Sequence, residues 1–209
     1  MKLSPSQEAL VLKLQSNVST GLTTDQATAR REQQGFNVVK PPVDCPAWIC
    51  CLLPCIKHVP SMKAFAAMRP EDAEILRNNK WIRYDASSLV PGDVIRLEEG
   101  DQVPADCVLL HIEEADGEIL VDQRAVTGED KPVSARVDAT GHVPGLTLYW
   151  GGTVVQGAGT AIVTTTGAQT LVARLIREKR FPPTENVLLT SAITADEEGI
   201  SLMSRRSTV

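Results

Sequence analysis

The feature that most constrains this 209-residue chain is its punctuation. After residue 73 the apolar residues come in short β-prone runs, at 74–77, 81–84, 94–97, 107–112, 118–121, 153–155 and 161–165, separated by turn residues. Runs of that length with Gly/Pro turns between them predict an all-β core built as a sandwich or distorted jelly roll. One amphipathic stretch, 168–179, predicts a helix that closes this region.

The residues before the β region have a different grammar. Ser4, Pro5 and Gln7 are a helix cap, a first-turn proline and the return partner of a capping box; Thr23 and Gln26 repeat the box, with Gly35 as the stop. Two short helices are predicted, broken at Ser19-Thr20-Gly21, with Leu10, Leu14, Leu22 and Ala27 giving an apolar face to pack on a neighbouring domain. Residues 41–60 hold five prolines, four cysteines and one tryptophan, a composition that opposes regular structure. After Phe181-Pro182-Pro183 the chain turns polar and aperiodic, which predicts a disordered tail. The expected units are therefore a helical segment at 1–40, a Cys/Pro-rich membrane-proximal linker at 41–70, a β domain at 71–180 and a tail at 181–209.

Composition narrows the function. A net charge of −5 with scattered lysines and arginines lacks the basic face of a nucleic-acid binder, so no nucleic-acid partner is expected. No stretch reaches the roughly 18 apolar residues of a spanning helix, and the N-terminus has no signal-peptide core. Five cysteines, four of them crowded between Cys45 and Cys55, make a poor disulfide framework and fit a reducing compartment.

Three turn-and-strand signatures follow in order: Leu89-Val90-Pro91-Gly92-Asp93-Val94-Ile95, Gly100-Asp101-Gln102-Val103-Pro104-Ala105-Asp106, and Asp122-Gln123-Arg124-Ala125-Val126-Thr127-Gly128-Glu129-Asp130-Lys131-Pro132-Val133. Each is a tight turn feeding a strand, weak alone and specific together. They resemble the actuator domain of P-type cation-transporting ATPases, whose signature loop is Thr-Gly-Glu-Ser. Gly151-Gly152-Thr153 through Gly159 and Thr166-Gly167-Ala168 resemble the second half of that domain, and 21–37 is similar to the N-terminal cation-ATPase segment. Residues 73–81, Ala-Glu-Ile-Leu-Arg-Asn-Asn-Lys-Trp, look most like the plasma-membrane proton-pump subgroup.

The resemblance implies an α+β fold, mainly β, with N-terminal helices packed on the actuator domain. It also implies a role: in such pumps the loop glutamate positions the water that hydrolyses an aspartyl phosphate, and the matching residue is Glu129. A held water and a positioned base are what in-line attack on a phosphoryl group needs, and a base contributes about 10²–10⁴-fold. Gly128 would let the backbone approach the phosphoryl group, and Thr127 would fix the loop by a hydroxyl-to-backbone bond. Asp130 stands where the family has serine. Two adjacent carboxylates at ~6 Å and an effective dielectric near 20 repel by about 3 kcal/mol, less where water screens them, and Lys131 offsets part of this. Nothing in the sequence explains Arg124 after the Asp-Gln pair.

Cys45, Cys50, Cys51 and Cys55 allow a zinc thiolate site, but the adjacent Cys50-Cys51 pair is ill-suited to one tetrahedral centre. The apolar run 47–56 is too short to span and suits a membrane surface, with Trp48 at the interface, Lys57 snorkelling and reversible acylation of the cysteines. Arg205-Arg206-Ser207 marks Ser207 for phosphorylation. The Asp-Lys-Thr-Gly phosphorylation motif is absent, and only 61–70 joins the N-terminal segment to the β domain, where the family has two membrane helices. ATP and magnesium are thus expected only in a complete pump, whose remaining domains are the expected partners at the cytosolic face of a membrane, most naturally the plasma membrane. The open alternatives are a separate piece of transport machinery, a non-catalytic module that docks on and regulates a pump, and a truncated product without a role of its own.

Overall fold

A computed structural model of the protein describes residues 2–43, 59–113, 117–184 and 187. Cys45, Trp48, Cys50, Cys51, Cys55, Lys57, Arg205, Arg206 and Ser207 lie outside them, and with them the acylation, zinc and phosphorylation readings. Among the described residues no helix is long and apolar enough to cross a membrane, and no group of three or more His, Cys, Asp or Glu is placed to hold a metal ion.

Both N-terminal helices start at their capping boxes. In α1 (Pro5–Lys13) the Ser4 side chain accepts from the Gln7 backbone and the Gln7 side chain from that of Ser4; in α2 (Thr24–Gln34) Thr23 and Gln26 do the same, and Gly35 ends the helix at φ 82°. A third helix, α3 (Pro60–Ala67), lies in the stretch assigned from sequence to a linker. Pro60 occupies its first turn, where the missing N–H has no intrahelical partner to lose.

The strands are β1 (Asp72–Arg77), β2 (Lys80–Asp85), β3 (Val94–Leu97), β4 (Asp106–Ile112), β5 (Glu118–Asp122), β6 (Val133–Arg136), β7 (Thr147–Leu148), β8 (Thr153–Gln156) and β9 (Gly159–Thr165). They form two antiparallel sheets, one ordered β2-β1-β3-β9-β4-β7 and one ordered β6-β5-β8. β6 and β7 were not foreseen from sequence, since both are short and neither carries a continuous apolar run. The fold is thus mixed α+β, with the helices packed on a two-sheet β core.

Alternation along the central strands builds two apolar layers. Cys107, Leu109, Ala161 and Val163 point between the sheets, where they meet Ile95, Ile119, Val121 and Val154. The intervening Leu110 and Ile162 point the other way and bury Val11 of α1. Gln7 is only 2% exposed because its amide nitrogen donates to the carbonyls of Leu109 and Val143, at 3.0 and 3.1 Å. Helix α1 is therefore fastened to the sheet by packing and by a satisfied buried amide.

The segment after α1 docks on the first signature turn. Ser16 donates its hydroxyl to the Gly92 carbonyl, and Arg30 of α2 donates to the Pro91 carbonyl at 2.6 Å. Leu22 bridges to Arg77 of β1, and Gly21, at φ 69°, lies so close to that strand that a Cβ would fall 1.8 Å from the Leu76 carbonyl oxygen. Asn37 is buried and links three segments, donating to the Ala86 and Pro104 carbonyls and accepting from the Gly167 N–H.

A second cluster covers one end of the sandwich. Phe65 and Met68 from the α3 region meet Trp150 and the closing helix α5 (Leu171–Arg177) through Leu171, Val172 and Leu175, with Phe65 and Trp150 stacked at 5.5 Å between centroids. Helix α5 begins three residues later than the sequence pattern suggests. Thr170 is extended and caps it by accepting from the Ala173 N–H, so Gly167–Gln169 form a separate 3₁₀ turn. Phe181 and Val187, placed in the tail by composition, are buried in this cluster. Apolar side chains beyond α5 found a partner surface that a one-dimensional pattern does not display.

Candidate functional site

The third signature turns a strand into a single helical turn and then exposes a loop. β5 ends at Asp122, whose carboxylate accepts from the Arg124 N–H at 2.9 Å, and α4 (Arg124–Thr127) follows. Its inward residue Val126 is fully buried in the second cluster, among Trp150 and the α5 leucines, so the short helix is held by packing rather than by its own length. Gly128 ends it in the left-handed region, φ 75° and ψ 10°, its N–H donating to the Arg124 carbonyl at 2.9 Å. A side chain in that conformation is strained, which is why glycine stands there.

Thr127 is fully buried. Its hydroxyl donates to the Gln123 carbonyl at 3.0 Å and accepts from the Glu129 N–H at 3.3 Å. The loop thus reverses direction at Gly128 and presents Glu129 half-buried, with Asp130, Lys131 and Pro132 exposed beyond it. The two neighbouring carboxylates stand in different surroundings, and water around Asp130 screens the repulsion between them. Arg124 is exposed at the start of α4, its guanidinium 3.9 Å from Asp122; nothing in the structure explains why arginine is needed there.

Three residues that sequence reasoning did not single out support this loop. Gln123, 2% exposed, accepts from the Tyr149 N–H at 2.7 Å and donates to the Thr147 carbonyl at 3.3 Å. Asp106, the last residue of the second signature, is buried and accepts from the N–H groups of Trp150 and Leu171, at 2.9 and 2.8 Å. Burial pushes its carboxyl up to about 6 against those two bonds and the nearby Arg174 charge. Tyr149 lies between the two regions: burial first, then the charge of Asp106, with Glu129 adding to it and Arg174 opposing, raise its hydroxyl above the usual tyrosine value. Asp106 therefore ties α5 to the strand end beside the loop.

The arrangement holds the half-buried Glu129 on a backbone fixed by the Thr127 hydroxyl and the Gly128 turn. A carboxylate so held can orient a water or accept a proton from one.

Comparison with known proteins places the sequence in a family. The profile of the P-type ATPase actuator domain matches residues 67–179, more than half of the chain, and that of the cation transporter/ATPase N-terminus matches 4–55. The endoplasmic reticulum calcium ATPase of Aspergillus fumigatus is 39% identical over 119 residues, 53% of this chain and 12% of that protein. The sodium/potassium-transporting ATPase subunit alpha of Hydra vulgaris is 36% identical over 117 residues, 54% of this chain and 11% of that protein. The crystal structure of a zinc-transporting PIB-type ATPase in the E2.Pi state superposes with a TM-score of 0.44 at 23% identity, covering 87% of this chain and 24% of that one. The chain spans about an eighth of the length of the curated relatives it matches. It belongs to the P-type ATPase family and carries the actuator domain of a cation-transporting member.

Proposed function

We propose that Glu129 positions and deprotonates the water that hydrolyses the aspartyl phosphate of a cation pump, acting when the remaining pump domains bring that phosphate to the loop. The water oxygen bonds to phosphorus, the bond from phosphorus to the aspartate oxygen breaks, and the water proton goes to the Glu129 carboxylate. The single observation that carries this reading is the backbone of Thr127-Gly128-Glu129: a buried threonine bonded on both sides, a left-handed glycine and a half-buried carboxylate at the tip. ATP and magnesium belong to the other domains. The working site is then the cytosolic face of a membrane, the plasma membrane if the ion is a proton.

The test is phosphoenzyme decay in a pump rebuilt by fusing this chain to the missing membrane and catalytic domains. Glu129→Gln keeps the loop's size and hydrogen bonds but removes the base, so the phosphoenzyme should accumulate. Decay as fast as in the parent fusion would sink the reading and favour a regulatory docking module, the alternative to which Asp130 in place of serine points. The proton as transported ion rests on the resemblance of residues 73–81 to plasma-membrane proton pumps. A pump that co-purifies with this chain and drives calcium uptake without acidifying its vesicles would overturn that part alone.

A further inference from the structure

We propose that Gln123 is the positioning residue of the Glu129 loop, strapping it to the strand end at Thr147 and Tyr149 and setting the Thr127 hydroxyl that holds the Glu129 backbone. The claim concerns loop geometry; its value for turnover rests on the reading of Glu129 given above.

Gln123 sits where β5, in one sheet, passes into α4, and its side chain reaches the end of β7, in the other. Its amide oxygen and nitrogen each have one partner there, the Tyr149 N–H at 2.7 Å and the Thr147 carbonyl at 3.3 Å. Its own carbonyl accepts from the Val126 N–H at 2.9 Å, the Thr127 N–H at 2.8 Å and the Thr127 hydroxyl at 3.0 Å. That last bond commits the hydroxyl proton to Gln123, which leaves an oxygen lone pair for the Glu129 N–H. The path from the end of β7 to Glu129 is thus continuous: Tyr149, Gln123, Thr127, Glu129.

Gly152 supplies an independent observation. A Cβ at that position would lie 3.3 Å from the Gln123 Cγ and 3.2 Å from the Tyr149 carbonyl oxygen, so the absence of a side chain leaves room for the stem of the Gln123 side chain. A glutamine at 2% exposure whose two amide groups are both satisfied across a sheet-to-sheet gap is more than a space-filling residue, because an apolar replacement would leave the Tyr149 N–H and the Thr147 carbonyl unpaired.

The experiment is amide hydrogen exchange, followed by NMR on the 209-residue chain and expressed as protection factors. In Gln123→Leu the amides of Thr127 and Glu129 should lose protection about tenfold or more, while those of β9 and α5 keep theirs. Gln123→Glu is the second variant, usable if the leucine change prevents folding. Protonated, the introduced carboxyl reproduces both the donor and the acceptor, so protection at Glu129 should return to the parent value as pH falls and be lost as pH rises. Thr127→Val should lower protection at Glu129 and Thr127→Ser should restore it. Parent-like protection at Glu129 in Gln123→Leu, or in Gln123→Glu at high pH, overturns the proposal. In the rebuilt pump, slowed decay in Glu129→Gln but not in Gln123→Leu would refute the positioning role and leave the hydrolytic reading intact. Normal decay in both would refute the hydrolytic reading and leave the exchange result to stand or fall by itself.

Discussion

Arg77 and Asp93 form a two-pronged ion pair, Nε to Oδ1 at 2.9 Å and Nη2 to Oδ2 at 2.6 Å, with both side chains buried where the first signature turn meets β1. Asp93 Oδ2 also accepts from the Val90 N–H, and Arg77 also donates to the Ser88 carbonyl, so the pair fastens the Pro-Gly-Asp turn to the strand that Leu22 touches. Breaking such a pair by removing one partner leaves a buried charge without compensation and costs about 3–5 kcal/mol. Asp93→Ala and Arg77→Ala should each lower stability by that amount in urea unfolding. The double variant should cost less than the sum, and strict additivity would show that the pair contributes no coupling.

The pH dependence of folding should carry the signature of Asp106. Its folded value of about 6 lies above the unfolded value of about 3.9, so the folded state holds the proton more tightly. The stability this adds is complete below about pH 4 and is lost as pH rises through about 6, a change of about 3 kcal/mol. The stability of the parent minus that of Asp106→Asn should fall by about 2 kcal/mol between pH 4 and 7, since the other groups cancel in the difference. A flat difference across the window would refute it.

Gly21→Ala should detach the N-terminal segment locally. The added methyl meets the Leu76 backbone at a positive φ, a clash that no side-chain rotation relieves. A loss of about 2 kcal/mol or more is expected, with faster limited proteolysis around residues 15–23 and an unchanged β core. Equal proteolysis of parent and variant would count against that docking.

Gly128→Ala tests the loop conformation. At φ 75° the alanine costs about 1 kcal/mol, measured as a shift in the unfolding midpoint. A stabilising effect would mean that the loop does not hold the left-handed conformation in solution.

Asp130→Ser should speed phosphoenzyme decay in the rebuilt pump, because it removes a negative charge next to the anionic centre. Since Asp130 is exposed and screened, a gain of about two- to fivefold is expected. Slower decay would show that the aspartate assists the reaction.

Much of the architecture is local in origin and therefore readable along the chain. Ser4 with Gln7, and Thr23 with Gln26, are bonded to each other three residues apart, so their helix starts needed no tertiary information. The strands around Ile95, Leu109 and Ala161 announced themselves because a sandwich interior demands apolar residues and the glycines and prolines between them mark the turns. The Thr127-Gly128-Glu129 loop was visible for the same reason: a motif of contiguous residues needs no distant partner to be seen.

What only the tertiary structure decided depends on partners far away in sequence. Gln7 meets Val143 across 136 positions and Asn37 meets Gly167 across 130, and nothing near either residue distinguishes a buried, satisfied amide from an exposed one. Helix α4 is one turn long and exists because Val126 has a pocket, while α3 and the buried Phe181 and Val187 depend on the Trp150 cluster that receives them. The sequence alone determined which side chains the loop displays. The three-dimensional packing decided how firmly it is held, because the groups that hold it, Gln123, Thr147 and Tyr149, become neighbours only when the two sheets close on one core.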